Sequence, residues 1–130
     1  MLTLPPSVRV YLASRPIDMR CGHDGLTAIV RNIWAMDPYT GHVFAFLGMR
    51  RDRVKLLYFD RGGFVLVYKR LERGRFKLPV VGTTARSIEI DGTELAMLMD
   101  GMDLSRVQRP RGWAPPTKTN TRRIDNGSWP

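Results

Sequence analysis

The chain is short of the residues from which most active sites are built. Its 130 residues include one cysteine and two histidines. A lone Cys21 excludes an internal disulfide framework and a cysteine-based zinc site, and it fits a reducing compartment. His23 and His42 are too widely spaced in sequence to form a local pair of metal ligands. No apolar run approaches the roughly 20 residues of a membrane-spanning helix. The opening Met1-Leu2-Thr3-Leu4-Pro5-Pro6 lacks the charged and apolar regions of a signal peptide. The expected location is the cytoplasm, on the nucleoid. Phosphate-loop glycines are missing too: Gly62-Gly63 is not followed by Lys-Ser/Thr and a helix, and no G-x-G-x-x-G follows a strand.

What is present in excess is positive charge. There are 21 Lys or Arg against 12 Asp or Glu, a net charge of +9. Residues 50–77 carry a net +7 and residues 104–130 a net +5, while the stretch 78–103 between them is acidic. Such a balance points to a nucleic acid or another acidic surface as partner.

Three apolar runs sit inside the basic stretch: Val43–Leu47, Val54–Phe59 and Phe64–Tyr68. Rich in Val, Phe, Tyr and Leu and bounded by Gly, Asp and Arg, they predict three consecutive antiparallel strands. Val8–Leu12 predicts an N-terminal strand, and Ser87–Ile90 a short strand or extended arm. Between the first and second strands Leu26, Ile29, Val30, Ile33 and Trp34 recur at helical spacing, with Asp18 as a cap and a regular start near Asp24. Leu95, Leu98, Met99 and Met102 form a second helical stripe, with Thr93 as its cap. The expected fold is α+β in one domain, residues 1–103. It is an antiparallel β-meander with an N-terminal strand, one helix after that strand and a C-terminal helix. Large apolar residues on both faces of the strands predict cover on both sides. Residues 104–130 are rich in Pro and Arg and read as a flexible basic tail.

Carboxylates for a two-metal nuclease would have to come from Asp18, Asp24, Asp37 and Asp60. Each has a simpler role: helix cap, first-turn acid, Asp-Pro helix stop and turn residue. Cys21 has only His23 nearby as a base, so no nucleophile is assigned. No catalytic residue, metal, cofactor or small-molecule substrate is expected. The candidate binding residues are Arg50, Arg51, Arg53, Arg61, Lys69, Arg70, Arg73, Arg75 and Lys77, because Arg presents a rigid fork of donors to phosphate oxygens. Tyr58, Phe59, Phe64, Tyr68 and Phe76 could stack on bases; most sit at strand positions and read as core, and Phe76, flanked by Arg75 and Lys77, is the best exposed candidate. The plainer alternative is a solvated basic rim.

The order Asp18-Met19-Arg20, His23-Asp24-Gly25-Leu26 and Asp37-Pro38-Tyr39-Thr40-Gly41-His42-Val43-Phe44 resembles a bacterial insertion-sequence accessory protein. So do Lys55-Leu56-Leu57-Tyr58-Phe59-Asp60-Arg61-Gly62-Gly63 and Lys69-Arg70-Leu71-Glu72-Arg73-Gly74-Arg75-Phe76. The family is the second open-reading-frame product, TnpB, of the sixty-six family of insertion sequences. The resemblance implies a non-catalytic role in transposition beside a separate transposase. It makes DNA at the element's ends or target the expected partner. A protein–protein adaptor that binds the transposase or another accessory protein is the alternative.

Overall fold

The computed structural model describes residues 4–77 and 84–101. Five strands form one sheet: β1 (Val10–Ala13), β2 (Val43–Leu47), β3 (Arg53–Asp60), β4 (Gly63–Arg70) and β5 (Ser87–Ile90). Their order across the sheet is β4-β3-β2-β1-β5. The β2–β3–β4 meander is antiparallel as expected, with Leu56 opposite both Ala45 and Val67. The sheet as a whole is mixed, which corrects the purely antiparallel expectation. Strand β1 runs parallel to β2, placing Val10 opposite Val43 and Tyr11 opposite Phe44. The cause is the long connection from Ser14 to His42, since parallel neighbours need a crossover that carries the chain back along the sheet. Strand β5 then pairs antiparallel with β1 at the far edge.

The crossover contains α1 (His23–Ala28), which continues as a π-helical turn over Ile29–Ile33. The Trp34 N–H donates to the Ile29 carbonyl, the i→i+5 bond that defines such a turn. This widening lines up Leu26, Val30 and Trp34 on the buried side and turns Ile33 outward. The expected cap, Asp18, lies outside the helix; Gly22 occupies the N-cap position without a side-chain bond. Asp18 instead accepts from the Arg20 backbone N–H at 2.9 Å. At the other end, α2 (Gly92–Met99) is capped by Asp91 rather than by Thr93. Asp91 accepts from the Glu94 N–H at 2.7 Å while Glu94 accepts from the Asp91 N–H at 3.0 Å. That reciprocal pair satisfies two donors, which a Thr93 cap would not have done.

Each face of the sheet carries a helix, although on the α1 side the cover does not reach Leu66 and Tyr68 of β4. One core holds Val10, Leu12, Val54, Leu56 and Phe76 with Leu95 and Leu98 of α2. The other holds Phe44, Phe46 and Leu57 with Leu26, Val30 and Trp34. Burying each of the α2 leucines stabilises the fold by roughly 1.5–3 kcal/mol relative to exposure. No helix among the described residues is long and apolar enough to cross a membrane. The expected tail, 104–130, lies outside the described residues.

Candidate nucleic-acid interface

The β2–β3 connection, Gly48 to Asp52, is closed by Arg51 N–H to the Gly48 carbonyl at 3.0 Å and Gly48 N–H to the Arg53 carbonyl at 3.1 Å. After β4 the chain folds back against this turn. The Leu71 N–H donates to the Asp52 carbonyl at 2.7 Å, and the Phe76 N–H donates to the Arg51 carbonyl at 2.6 Å. These bonds bring Arg70, Arg73, Arg75 and Lys77 to the same end of the sheet as Arg50, Arg51 and Arg53.

Phe76 is the anchor of that segment rather than an exposed stacking group, which corrects the sequence expectation. It is 1% exposed and belongs to the α2-side core. The charged neighbours that suggested exposure point away from a ring drawn inward by apolar burial. Lys69 is also occupied: its Nζ donates to the Met99 carbonyl at the end of α2, where a cation is favoured by the helix dipole. Arg61 stands apart, in the β3–β4 turn at the opposite end of the hairpin. Seven of the ten expected residues therefore converge, and Lys69, Phe76 and Arg61 do not.

One residue that sequence reasoning did not select joins them. The segment Ile17–Arg20 runs beside the turn, tied by Ile17 N–H to the Leu47 carbonyl at 2.9 Å. Between the two lies a groove of about 390 Å³ lined by Asp18, Met19, Arg20, Arg50, Asp52 and Arg53, among others. Gly48 is required there because a Cβ would sit 2.6 Å from Met19 Cγ. Arg20 grips Asp18 with Nη2 to Oδ2 at 2.8 Å. Hydrogen bonds from the Arg20 side chain and backbone hold the Asp18 carboxyl at about 2, so it is ionised at any ordinary pH. The available sign was the Asp-Met-Arg triplet, whose position in space its sequence could not give.

This end of the molecule gathers eight basic side chains against Asp18, Asp52 and Glu72. Arg53 and Arg70 are direct cross-strand partners. Like charges so placed destabilise a ladder unless an anion lies between or over them. Arg53 Nε is 3.8 Å from Asp52 Oδ1, and neither atom makes a hydrogen bond.

The residues weighed as catalytic are scattered. Asp37 caps the 3-10 turn Pro38–Thr40 by accepting from the Tyr39 N–H at 2.9 Å. Asp24 lies 3.0 Å from His23 Nδ1 in the first turn of α1, and Asp60 ends β3. Among the described residues, no three His, Cys, Asp or Glu side chains come together as a metal site requires.

A family model described as IS66 Orf2 like protein matches residues 8–109. The chain belongs to that family. Two curated relatives come from Sinorhizobium fredii. One, the uncharacterized protein y4jC, is 37% identical over 102 residues, covering 78% of this chain and 86% of its own length. The other, the uncharacterized protein y4hO, is 34% identical over 115 residues, covering 88% of this chain and 96% of its own. No solved structure matches. In this IS66 Orf2-like chain the matched span includes the whole sheet and every residue of the basic end. Membership suggests an accessory role in insertion-sequence transposition.

Proposed function

We propose that the chain is a non-catalytic accessory factor of transposition that binds DNA through the basic end of its sheet. The observation that carries this is the convergence of Arg50, Arg51, Arg53, Arg70, Arg73, Arg75 and Lys77, from two separate segments, onto one rigid platform. Guanidinium groups carried at a strand end suit phosphate oxygens, and such contacts give affinity and salt dependence without reading sequence. Arg20, across the groove, is paired with Asp18 and adds no net charge to the platform. The element's ends or its target are the DNA to test first.

Titration of labelled duplex at two salt concentrations tests it. Affinity falls steeply with salt for the native chain. The triple change Arg70→Ala, Arg73→Ala, Arg75→Ala flattens the logarithmic slope by roughly 0.9 for each phosphate that is no longer neutralised. Equal slopes for both proteins would sink the assignment.

A second function, an adaptor for the transposase of the same element, is favoured by β4, whose outer edge is unpaired among the described residues. An eight-residue edge strand offers unpaired backbone groups to an extended segment of another chain. Co-precipitation with the transposase that survives nuclease treatment supports the adaptor, and its loss supports DNA.

A further inference from the structure

On the α1 side of the sheet, the helical cover among the described residues stops short of the outer strands. Along β4, Phe64, Leu66 and Tyr68 alternate onto this uncovered face, with Phe59 and Lys55 beside them on β3. Tyr68 is 50% exposed, Leu66 37% and Tyr39, from the 3-10 turn, 52%. Four rings at one end form a connected array: Tyr39 lies 5.2 Å from Phe59 and 5.1 Å from Phe64, and His23 lies 4.6 Å from Phe64, while Tyr68 stands beyond Leu66. Cations edge it. The Arg31 guanidinium sits 5.7 Å over the Tyr39 ring, and Lys55 Nζ 5.7 Å from Tyr68. Lys55 is itself fixed by donating to the Met19 and Cys21 carbonyls at 2.7 and 2.8 Å. Arg61 stands at one end of the strip and Arg70 at the other, where it joins the basic platform.

We propose that this open hairpin face is a platform for the unpaired bases of single-stranded DNA, with its backbone running from Arg61 to Arg70. Exposed rings along a strand face take bases of any identity, because every base has a π-face, while flanking arginines take the phosphates. Among the described residues the basic end has no such rings, since Phe76 is buried, so the two surfaces divide the ligand: phosphates at the end, bases along the hairpin. This also gives Arg61 a role that its distance from the other arginines denies it. An acidic protein would match the cations but has no use for the ring array. The inference rests on the DNA-binding function proposed above.

The test uses the full chain with a labelled random oligonucleotide of roughly 16 nucleotides and its duplex. Tyr39→Leu/Tyr68→Leu keeps apolar bulk and removes stacking. It weakens single-strand binding about tenfold or more, leaves duplex binding within about twofold, and Tyr39→Phe/Tyr68→Phe restores the single-strand affinity. Circular dichroism verifies the fold, and Tyr68→Leu alone decides the matter should the double variant not fold. Unchanged single-strand affinity, or an equal loss on duplex, overturns the platform. So does displacement of the strand by polyglutamate as readily as by unlabelled oligonucleotide, which assigns the face to an acidic protein. Should the native chain bind neither DNA, the proposed function falls too. Should Arg70/Arg73/Arg75→Ala abolish duplex binding while single-strand binding ignores the tyrosines, only the platform falls.

Discussion

On the α2 face of the sheet Val54, Leu56, Phe76 and Leu98 are almost completely shielded from water, whereas on the α1 face closure ends at Leu57 and leaves Leu66 and Tyr68 open. Identical chemistry, alternating apolar residues on the same two strands, thus has two outcomes. The closed face works as an anchor, holding the basic segment through Phe76. The open face has apolar surface left over, on the outermost strand and next to cations. Apolar area on a strongly basic chain is informative where it is neither buried nor scattered.

The contrast can be broken from the closed side first. Phe76→Ala is expected to cost about 3–5 kcal/mol, measured by urea denaturation, because it removes a large fully buried side chain. A loss below about 1 kcal/mol would mean that the basic segment is not anchored there. Gly48→Ala comes next. The new methyl meets Met19 Cγ, and overpacking of that kind costs about 1–3 kcal/mol in the same assay. On the open face, Leu66→Ala should cost about 1 kcal/mol or less, which is the sharpest check on the asymmetry.

At the hairpin tip Arg61 and Gly62 have φ of 47° and 85°, both left-handed, as a two-residue type I′ turn requires. Arg is a poor choice for that conformation and Asn a good one. Arg61→Asn is therefore expected to raise stability by about 0.5–1 kcal/mol, seen as a higher Tm. The same change weakens single-strand binding if Arg61 terminates the platform.

A smaller effect is expected from pH. His42 Nδ1 accepts from the Arg9 N–H at 3.0 Å, which requires an unprotonated Nδ1. Burial first, and the Arg9 charge second, lower its pKa. Below about pH 6.5 the unfolded chain takes up a proton that the folded chain resists, so stability declines as the pH falls through that range. Denaturation midpoints across that range check it, and His42→Gln flattens the decline.

The meander was legible because strand period, turn residues and length all agreed over residues 43–70. Its boundaries fall within a residue or two of the apolar runs. The direction of β1 was not, since alternation marks a strand without naming its partner; only the length of the crossover bears on it. The helix caps failed for a local reason: at Asp91-Gly92-Thr93-Glu94 two side chains compete, and Glu94 completes a box only with Asp91. Phe76 was misplaced because its immediate neighbours are charged, and nothing in the eight residues around it records that the segment folds back on Arg51. The platform face was half legible. Phe59, Phe64 and Tyr68 could be put on strands from their spacing, but the extent of α1's cover could not.

The chain's order in time follows from the same topology. Strands β2, β3 and β4 are sequence neighbours joined by short turns, so they close with little loop entropy. Strands β1 and β5 meet across a separation of about 70 positions, as between Ser14 and Arg86. Local pairings form early and distant ones late, other things being equal. The β3–β4 hairpin and the Arg50–Arg53 turn would then stand formed while both ends of the domain are still loose. φ-values near one at Leu57 and near zero at Ile88 are the expected signature, and a nascent chain would expose its basic turn before its sheet is complete.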